Sequence, residues 1–240
     1  MSPRTHVVTG AGAGIGQALA RLLLSRGDVV VTLARSPERA RQVEAALVGA
    51  GPGEVVVHVA DLGVVAQVEA VGRAMAEQHD RLDSLVHCAG VVELGRVESV
   101  DVSTWQNQLN VNLTAPALLC RDLIPALRRA RGTVVMVNSG AGKVANPDWS
   151  GYAASKHGLR ALADALRAEE TVHGVRVTSV YPSRTATDMQ VKVHLQEGRA
   201  YQAADWMQPE SVAASLLHVL DLPVDATIPD LSIRTSPSPS

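Results

Sequence analysis

Short valine-rich runs alternate along this chain with longer segments that mix alanine, leucine, arginine and glutamate. The runs are continuously apolar, a pattern typical of strands that are covered on both faces of a sheet. They predict strands over 6–9, 28–34, 54–60, 84–89, 133–138 and 175–181, with a further edge strand within 226–234. The mixed segments predict helices over 14–26, 36–49, 64–79, 101–130, 151–173 and 209–221.

The alternation of strand and helix predicts the fold class. Repeated strand–helix–strand units require right-handed crossovers, which build a parallel sheet with helices on both faces. We therefore expect an α/β fold, a single-domain Rossmann-like doubly wound parallel sheet of about seven strands. No shift in composition marks a second domain, so one domain is expected over 1–234, followed by a disordered Pro/Ser-rich tail at 235–240.

Composition narrows the classes of function. The 240 residues are 46% hydrophobic and 19% charged and contain no Phe, which predicts a sizeable aliphatic core. A net charge of −2 gives no basic surface for nucleic acid or an anionic membrane, and no apolar run approaches the ~20 residues that span a bilayer. The histidines are scattered and the two cysteines lack C-x-x-C spacing, which predicts no metal site and a reducing cytoplasmic location. The residues before the first strand do not have the pattern that predicts a signal segment.

A glycine-rich turn, TGAGAGIG at 9–16, stands between the first strand and the first helix. Gly10, Gly14 and Gly16 have the spacing G-x-x-x-G-x-G, which differs from the stricter G-x-G-x-x-G fingerprint. Glycines in such a turn let backbone N–H groups approach a pyrophosphate at the helix N-terminus. We therefore expect this turn, with Ile15, to bind a dinucleotide; an ordinary glycine-rich turn is the alternative.

The end of the second strand indicates which dinucleotide binds. In folds of this kind an acidic residue about 20 positions beyond the glycines binds the 2′-hydroxyl of the ribose. Arg35 occupies that place, and an arginine attracts a 2′-phosphate. NADP(H) is therefore favoured, NAD(H) stays open, and a solvated surface arginine is the alternative. Asp61 and Leu62 follow the third strand, where an adenine can rest.

Two residues in YAASK carry candidate acid–base chemistry. Tyr152 and Lys156 are four positions apart and share one face of a helix. An ammonium beside a phenol favours the phenolate and is expected to lower the tyrosine pKa from about 10. Ser139 follows the fifth strand, where its hydroxyl can hydrogen-bond a carbonyl or an alcohol. Taken singly, a buried aromatic, a solvated lysine and a capping serine are the simpler interpretations.

Six motifs occur together in a characteristic order: TGAGAGIG, DL at 61–62, AG at 89–90, NVNL at 110–113, VNS at 137–139 and YAASK at 152–156. With them the chain resembles the short-chain dehydrogenase/reductase family over essentially its whole length. The resemblance implies an NADP(H)-dependent oxidoreductase that interconverts a small-molecule carbonyl and a secondary alcohol. Its catalytic set would be Asn112, Ser139, Tyr152 as general acid/base, and Lys156. Asn112, favoured over Asn110 by its spacing from Trp105, would hold a water that links Lys156 to solvent.

The resemblance also implies the remaining cofactor contacts and the assembly. Further contacts would come from Ala89, Gly90, Tyr152, Lys156, Pro182, Thr185 and Thr187, with Thr187 favoured over Thr185 for the carboxamide or pyrophosphate. The segment 183–208 would form a lid over the substrate. Ala/Leu-rich helices at 104–130 and 151–173 would assemble a homodimer or homotetramer, although such helices are equally expected simply to cover the sheet.

The chain departs from the family pattern at two places. HCAG stands where family members commonly have NNAG, and Ser183 replaces a common glycine after Pro182. His87 is expected to be a core histidine and Cys88 a small packing residue. These departures leave room for a second hypothesis, a dinucleotide-binding regulatory or scaffold protein without turnover. A sugar-nucleotide epimerase is disfavoured because little chain remains for an additional substrate domain.

Overall fold

The computed structural model describes residues 3–236, so 237–240 of the predicted tail lie outside the described residues. Within that range the strands are β1 (Thr5–Thr9), β2 (Val29–Ala34), β3 (Glu54–Val59), β4 (Ser84–His87), β5 (Thr133–Val137), β6 (Arg176–Pro182) and β7 (Asp230–Ile233). They form a parallel sheet in the order β3-β2-β1-β4-β5-β6-β7. The predicted fold class is confirmed, including the edge strand near the C-terminus.

Helices cover both faces of this sheet. They are α1 (Gly14–Ser25), α2 (Pro37–Leu47), α3 (Val65–Gln78), α4 (Val102–Leu109), α5 (Ala115–Ala130), α6 (Ser150–Glu170), α7 (Asp188–Gln196) and α8 (Pro209–Leu220). One apolar cluster joins the sheet to α3, α5 and α6, and the other joins it to α1, α2 and α8. Neighbouring strand residues contribute to opposite clusters, as Val7 and Val8 do. Both faces are buried, which explains the continuously apolar runs.

The helix predicted over 101–130 is wrong in one respect, because a π-turn at Asn110–Thr114 separates α4 from α5. The N–H of Ala115 bonds to the carbonyl of Asn110, five residues back. Pro116 supplies the physical reason. It has no N–H for the carbonyl of Asn112, and its ring crowds that carbonyl, so the regular helical ladder is broken there. Single π-turns of this kind are frequent at functional sites.

Helix α7 was not predicted. Its apolar residues Met189, Val191, Val193 and Leu195 alternate with polar ones, which is the period of a strand rather than of a helix. Tertiary contacts override that pattern, since Val193 and His194 are buried while Val191 and Leu195 are exposed. Among residues 3–236, no helix is long and apolar enough to cross a membrane.

Candidate cofactor and catalytic site

The predicted site residues gather at one edge of the sheet. Because the strands are parallel, the segments that follow them all leave at their carboxyl ends. The glycine turn follows β1, Arg35 follows β2, Asp61 follows β3, Ala89 follows β4, and Ser139 follows β5. The parallel sheet thus brings these residues to one edge, and their roles stay predictions.

The glycines are required by close approaches. Gly10 and Gly14 have φ of +75° and +53°, in the region that disfavours other residues. A Cβ on Gly10 would lie 2.8 Å from the nitrogen of Ala89, and one on Gly14 would lie 2.9 Å from Cγ2 of Thr187. A Cβ on Gly16 would lie 2.4 Å from the carbonyl oxygen of Gly10. The turn is thus drawn tightly against the chain that follows β4 and β6.

The turn fits the pyrophosphate of a dinucleotide. Helix α1 begins after Ala13, and in the described chain no side chain caps it and no acidic residue occupies its first turn. A cavity of about 390 Å³ lies beside that helix end and the start of α8; its lining includes Gly12, Gly14, Arg21, Arg39 and Thr187, and also the acidic residues Asp188 and Glu210. The backbone N–H groups at the helix end favour a bound anion, and the two guanidinium groups offset the two carboxylates.

Arg39 is a candidate that sequence reasoning missed. Arg35 is exposed just after β2, as expected for a residue that meets a cofactor from solvent. Ser36 caps α2 by accepting a hydrogen bond from the N–H of Arg39 at 3.2 Å, which fixes the first turn of the helix. The Arg39 guanidinium then donates to the carbonyl of Gly12 at 3.3 Å. The Ser-Pro cap was visible in the sequence, but the contact with Gly12 depends on tertiary structure.

The other predicted cofactor residues have distinct surroundings. The carboxylate of Asp61 accepts a hydrogen bond from the N–H of Gly63 at 2.8 Å, next to half-buried Leu62. Ile15 packs against the cluster beneath α1. Thr185 is buried, and its hydroxyl donates to the carbonyl of Ser183 at 3.0 Å, whereas Thr187 lines the cavity. Pro182 ends β6 and is buried, and Gly90 lies beside Asn112 and Lys156.

Tyr152 and Lys156 lie together on the inner face of α6. Their exposed fractions are 6% and 4%, and the lysine Nζ is 5.8 Å from the centre of the tyrosine ring. Nζ donates to the carbonyl of Val137 at 2.9 Å, two residues before Ser139. The predicted Ser–Tyr–Lys set is therefore brought to one place.

Asn138 is a second residue that sequence reasoning did not single out. Its side-chain nitrogen donates to the carbonyl of Lys156 at 3.0 Å, and its side-chain oxygen accepts from the N–H of Ser139 at 2.8 Å. The amide thus ties the end of β5 to α6 and fixes Ser139 relative to Lys156. Gly142 leaves room for it, since a Cβ there would lie 2.2 Å from the amide oxygen. The only sequence signal was its place inside VNS.

Asn112 is buried in the π-turn, and its side chain is fully engaged. The amide nitrogen donates to the carbonyl of Val91 at 2.9 Å and to the hydroxyl of Ser155 at 3.0 Å, while the amide oxygen accepts from the N–H of Val91 at 2.8 Å. Its backbone carbonyl is the group that Pro116 leaves without a helical donor. Asn110, the competing candidate, donates instead to the carbonyl of Gly63 at 2.9 Å.

The pKa values differ from the simple expectation for a tyrosine beside an ammonium. Burial raises the pKa of Tyr152, and hydrogen bonding with Ser139 opposes this only in part. Burial also lowers the pKa of Lys156, to about 8. The expected lowering of the tyrosine pKa is therefore not found in this structure, because loss of hydration outweighs the hydrogen bond with Ser139. Tyr152 keeps its proton at neutral pH, as a proton donor requires.

His87, Cys88 and Ser183, which depart from the family pattern, make packing and hydrogen-bond contacts within the fold. Nε2 of buried His87 is 3.4 Å from Sγ of Cys120, and burial lowers the histidine pKa to about 3, so the ring is neutral. Burial raises the pKa of Cys88 to about 12, which keeps it a thiol. Ser183 joins the chain after β6 to β7, donating its N–H to the carbonyl of Ile233 at 2.8 Å. His87 and Cys88 thus behave as the expected core and packing residues.

Known proteins share this arrangement. Residues 4–198 match the family model for short chain dehydrogenase. Bovine dehydrogenase/reductase SDR family member 11 is 29% identical over 243 residues, covering 96% of this chain and 95% of that protein. Glycine betaine reductase ATRR from Emericella nidulans is 31% identical over 244 residues, and the match spans 100% of this chain but 19% of that protein.

A solved structure agrees with both the fold and the cofactor class. A metagenomic short-chain oxidoreductase in complex with NADP superposes with a TM-score of 0.82 at 32% identity, covering 98% of each chain. The glycine turn, the grouping of Ser139, Tyr152 and Lys156, and these matches lead to one conclusion. The chain belongs to the short-chain dehydrogenase/reductase family and is an NAD(P)-dependent oxidoreductase.

Proposed function

We propose that this protein is an NADP(H)-dependent carbonyl reductase that interconverts a small-molecule carbonyl and a secondary alcohol. The observation that carries the proposal is the buried pair Tyr152 and Lys156, held beside Ser139 at the sheet edge that carries the glycine turn. A purely structural tyrosine and lysine would not require a buried ammonium, whose loss of hydration is costly. By the resemblance to the family, we further propose a homodimer or homotetramer.

In the proposed reaction, Tyr152 donates its proton to the carbonyl oxygen, and in the reverse direction the phenolate removes it from the alcohol. The Ser139 hydroxyl donates a hydrogen bond to the same oxygen and orients it. Lys156 stabilises the phenolate that remains after proton transfer. The nicotinamide supplies the hydride when the cofactor is bound.

In this proposal the proton that Tyr152 donates is replaced through Lys156. Lys156 Nζ and the side-chain oxygen of Asn112 both lie beside Gly90, 3.8 and 3.4 Å from the position that a Cβ there would take. Pro116 removes the regular N–H donor of the Asn112 carbonyl, which is therefore suited to hold a water that passes a proton to Lys156. The locked side chain of Asn112 keeps that carbonyl in place.

Arg35 and Arg39 would set the preference for NADP(H). Both are exposed, and Arg39 reaches Gly12 of the glycine turn. We expect Arg35→Asp to reduce the ratio of NADPH to NADH affinity about 100-fold, because a carboxylate repels the 2′-phosphate and can bind the 2′-hydroxyl. Arg39→Gln should reduce the ratio about tenfold by removing one cation. Fluorescence titration with each cofactor measures both.

Arg41→Asp is the matched control for charge. Arg41 is exposed on α2 two positions from Arg39, which places it on another face of the helix. Arg41→Asp should leave the ratio of NADPH to NADH affinity within about twofold of the wild-type value, because exposed charges that do not contact the ligand are screened by salt. Equal loss in Arg41→Asp and Arg35→Asp would show a general field effect, and a wild type that binds NADH as well as NADPH would refute the preference.

Turnover tests the proposal against a binding protein without catalysis. Purified protein with NADPH should oxidise the cofactor in the presence of at least one neutral ketone, followed by the loss of reduced nicotinamide absorbance. Tight NADPH binding without oxidation across a broad carbonyl panel would instead support a regulatory or scaffold role.

A further inference from the structure

A small apolar cluster surrounds Tyr152, separate from the two clusters that pack the sheet. Its buried members are Val92, Tyr152 and Val193, and its half-buried members are Leu94, Ala141, Trp149 and Met189. They come from four segments: the loop after β4, the segment between β5 and α6, the start of α6, and α7. Apart from the tyrosine hydroxyl, the side chains that these residues bring to the candidate acid–base group are almost wholly apolar.

One wall of this cluster is built by pairing two loops. Gly95 and Trp149 form a parallel bridge, and the N–H of Gly95 donates to the carbonyl of Asp148 at 2.7 Å. Asp148 has φ of +69°, a strained conformation for a residue other than glycine. The turn presents the Trp149 ring edge-on to the Tyr152 ring, with centroids 5.8 Å apart. A rigid aromatic surface therefore stands next to the tyrosine.

Helix α7 forms the opposite wall, and hydrogen bonds connect it to the loop after β4. The N–H of Leu94 donates to the side-chain oxygen of Gln196 at 3.2 Å, and Glu93 bonds to both Lys192 and Gln196. These contacts hold Val193 against the cluster, where its exposed fraction is 3%. The apolar face of α7 thus covers Tyr152.

The cations around the cluster are already engaged. Arg184 makes two hydrogen bonds to Glu197, at 2.6 and 2.9 Å, and Lys192 pairs with Glu93. Exposed Lys143 donates to the hydroxyl of Ser232 at 3.0 Å and lies 3.8 Å over the Tyr181 ring, and Lys156 donates to the carbonyl of Val137. A substrate carboxylate that entered the apolar cluster would lose its hydration, and Arg184 and Lys192 are already paired with carboxylates.

We propose that the substrate is a neutral ketone or aldehyde with an apolar, preferably aromatic or cyclic, group that packs between Trp149 and Val193. This proposal rests on the proposed carbonyl reductase function and names the class of its substrate. Apolar walls with few polar groups select ligands by shape and burial, and the Tyr152 and Ser139 hydroxyls fix the one polar atom that must enter.

Two methyl ketones give a matched test with NADPH-loaded protein. 4-Phenyl-2-butanone and 4-oxopentanoate share the reacting carbonyl and the two-carbon linker, and differ in a terminal phenyl or carboxylate group. We expect kcat/KM for the phenyl ketone to be about 100-fold the value for 4-oxopentanoate, from phenyl burial on one side and an unpaired charge on the other. 2-Butanone serves as the small reference.

A pair of valine variants on one helix connects the preference to the cluster. Val193→Ser should lower kcat/KM for the phenyl ketone about tenfold more than kcat/KM for 2-butanone, because only the phenyl group packs against this side chain. Val191→Ser, at a position that is 45% exposed on α7, should change neither. If Val193→Ser does not fold, Leu94→Ser on the other wall is measured in the same way.

Binding to the NADPH complex of Tyr152→Phe separates this proposal from the proposed function. Calorimetry should show that the phenyl ketone binds and that 4-oxopentanoate binds at least tenfold more weakly, whether or not wild type turns either over. Equal or tighter binding of 4-oxopentanoate, or no binding of the phenyl ketone, overturns the substrate class. Absence of turnover on all three ketones with this binding pattern intact would overturn the reductase function alone.

Discussion

Replacing Tyr152 by phenylalanine is expected to lower kcat/KM for carbonyl reduction about 1000-fold, within the range that general acid catalysis contributes. The change removes the only proton donor of the proposed mechanism and keeps the ring that packs against Trp149 and Val193. Folding should therefore be preserved, and NADPH should still bind through the other proposed contacts, which include the glycine turn and Arg35. Steady-state kinetics, thermal unfolding and cofactor titration on the same preparation measure all three.

Tyr201→Phe is the matched control for this change. Tyr201 is half-exposed after α7 and packs edge-on against His194, with ring centroids 5.3 Å apart. Loss of its hydroxyl should leave kcat/KM within about twofold, because exposed hydroxyls contribute little binding free energy. A Tyr152→Phe enzyme that kept more than a tenth of wild-type activity would mean that water or another group donates the proton.

The raised pKa of Tyr152 gives this prediction a pH dependence. Burial moves the pKa above the ordinary value of 10, so the hydroxyl stays protonated throughout the neutral range. Reduction needs the protonated form, and this group therefore contributes no decline in rate below about pH 10. Alcohol oxidation needs the phenolate and should become faster as the pH rises. The two directions, measured on one ketone–alcohol pair, should show opposite slopes at alkaline pH.

The fold was predictable because each strand can be identified from its own run of apolar residues. Val7 and Val8 are both apolar, and they pack on opposite faces of the sheet, so continuous runs identified a sheet covered by helices on both sides. Helix α7 escaped prediction for a related reason. Its alternating apolar residues suit a strand, and only contacts with Leu94 and Tyr152 in the folded chain favour a helix.

Site residues were predictable where their spacing in the sequence places them together, and were missed where only tertiary contacts do so. Tyr152 and Lys156 are neighbours on any helix, so their pairing follows from the sequence. Asn138 and Arg39 act through contacts with Lys156 and Gly12 that no spacing rule predicts. The pKa of Tyr152 was misjudged for the same reason, because spacing identifies a neighbouring charge but does not reveal how deeply both groups are buried.

Lys156→Met is the second change with a large expected effect, lowering kcat/KM for reduction about 100-fold. Methionine fills similar volume on α6, but it supplies neither the charge beside Tyr152 nor the donor to the carbonyl of Val137. NADPH affinity should fall as well, since the resemblance to the family implies that Lys156 also contacts the cofactor. A variant that folds normally and keeps full activity would remove Lys156 from the mechanism.

The pH profile distinguishes a catalytic Lys156 from one that merely packs. Burial lowers its pKa to about 8, so the active ammonium form is lost as the pH rises through that value. Wild-type kcat/KM for NADPH, which reports groups of the free enzyme, should fall with an apparent pKa near 8. Lys156→Arg should recover part of the activity without this fall, because a guanidinium does not titrate there. A fall that persists unchanged in Lys156→Arg would assign the titration to another group, since Tyr152 remains protonated over this range.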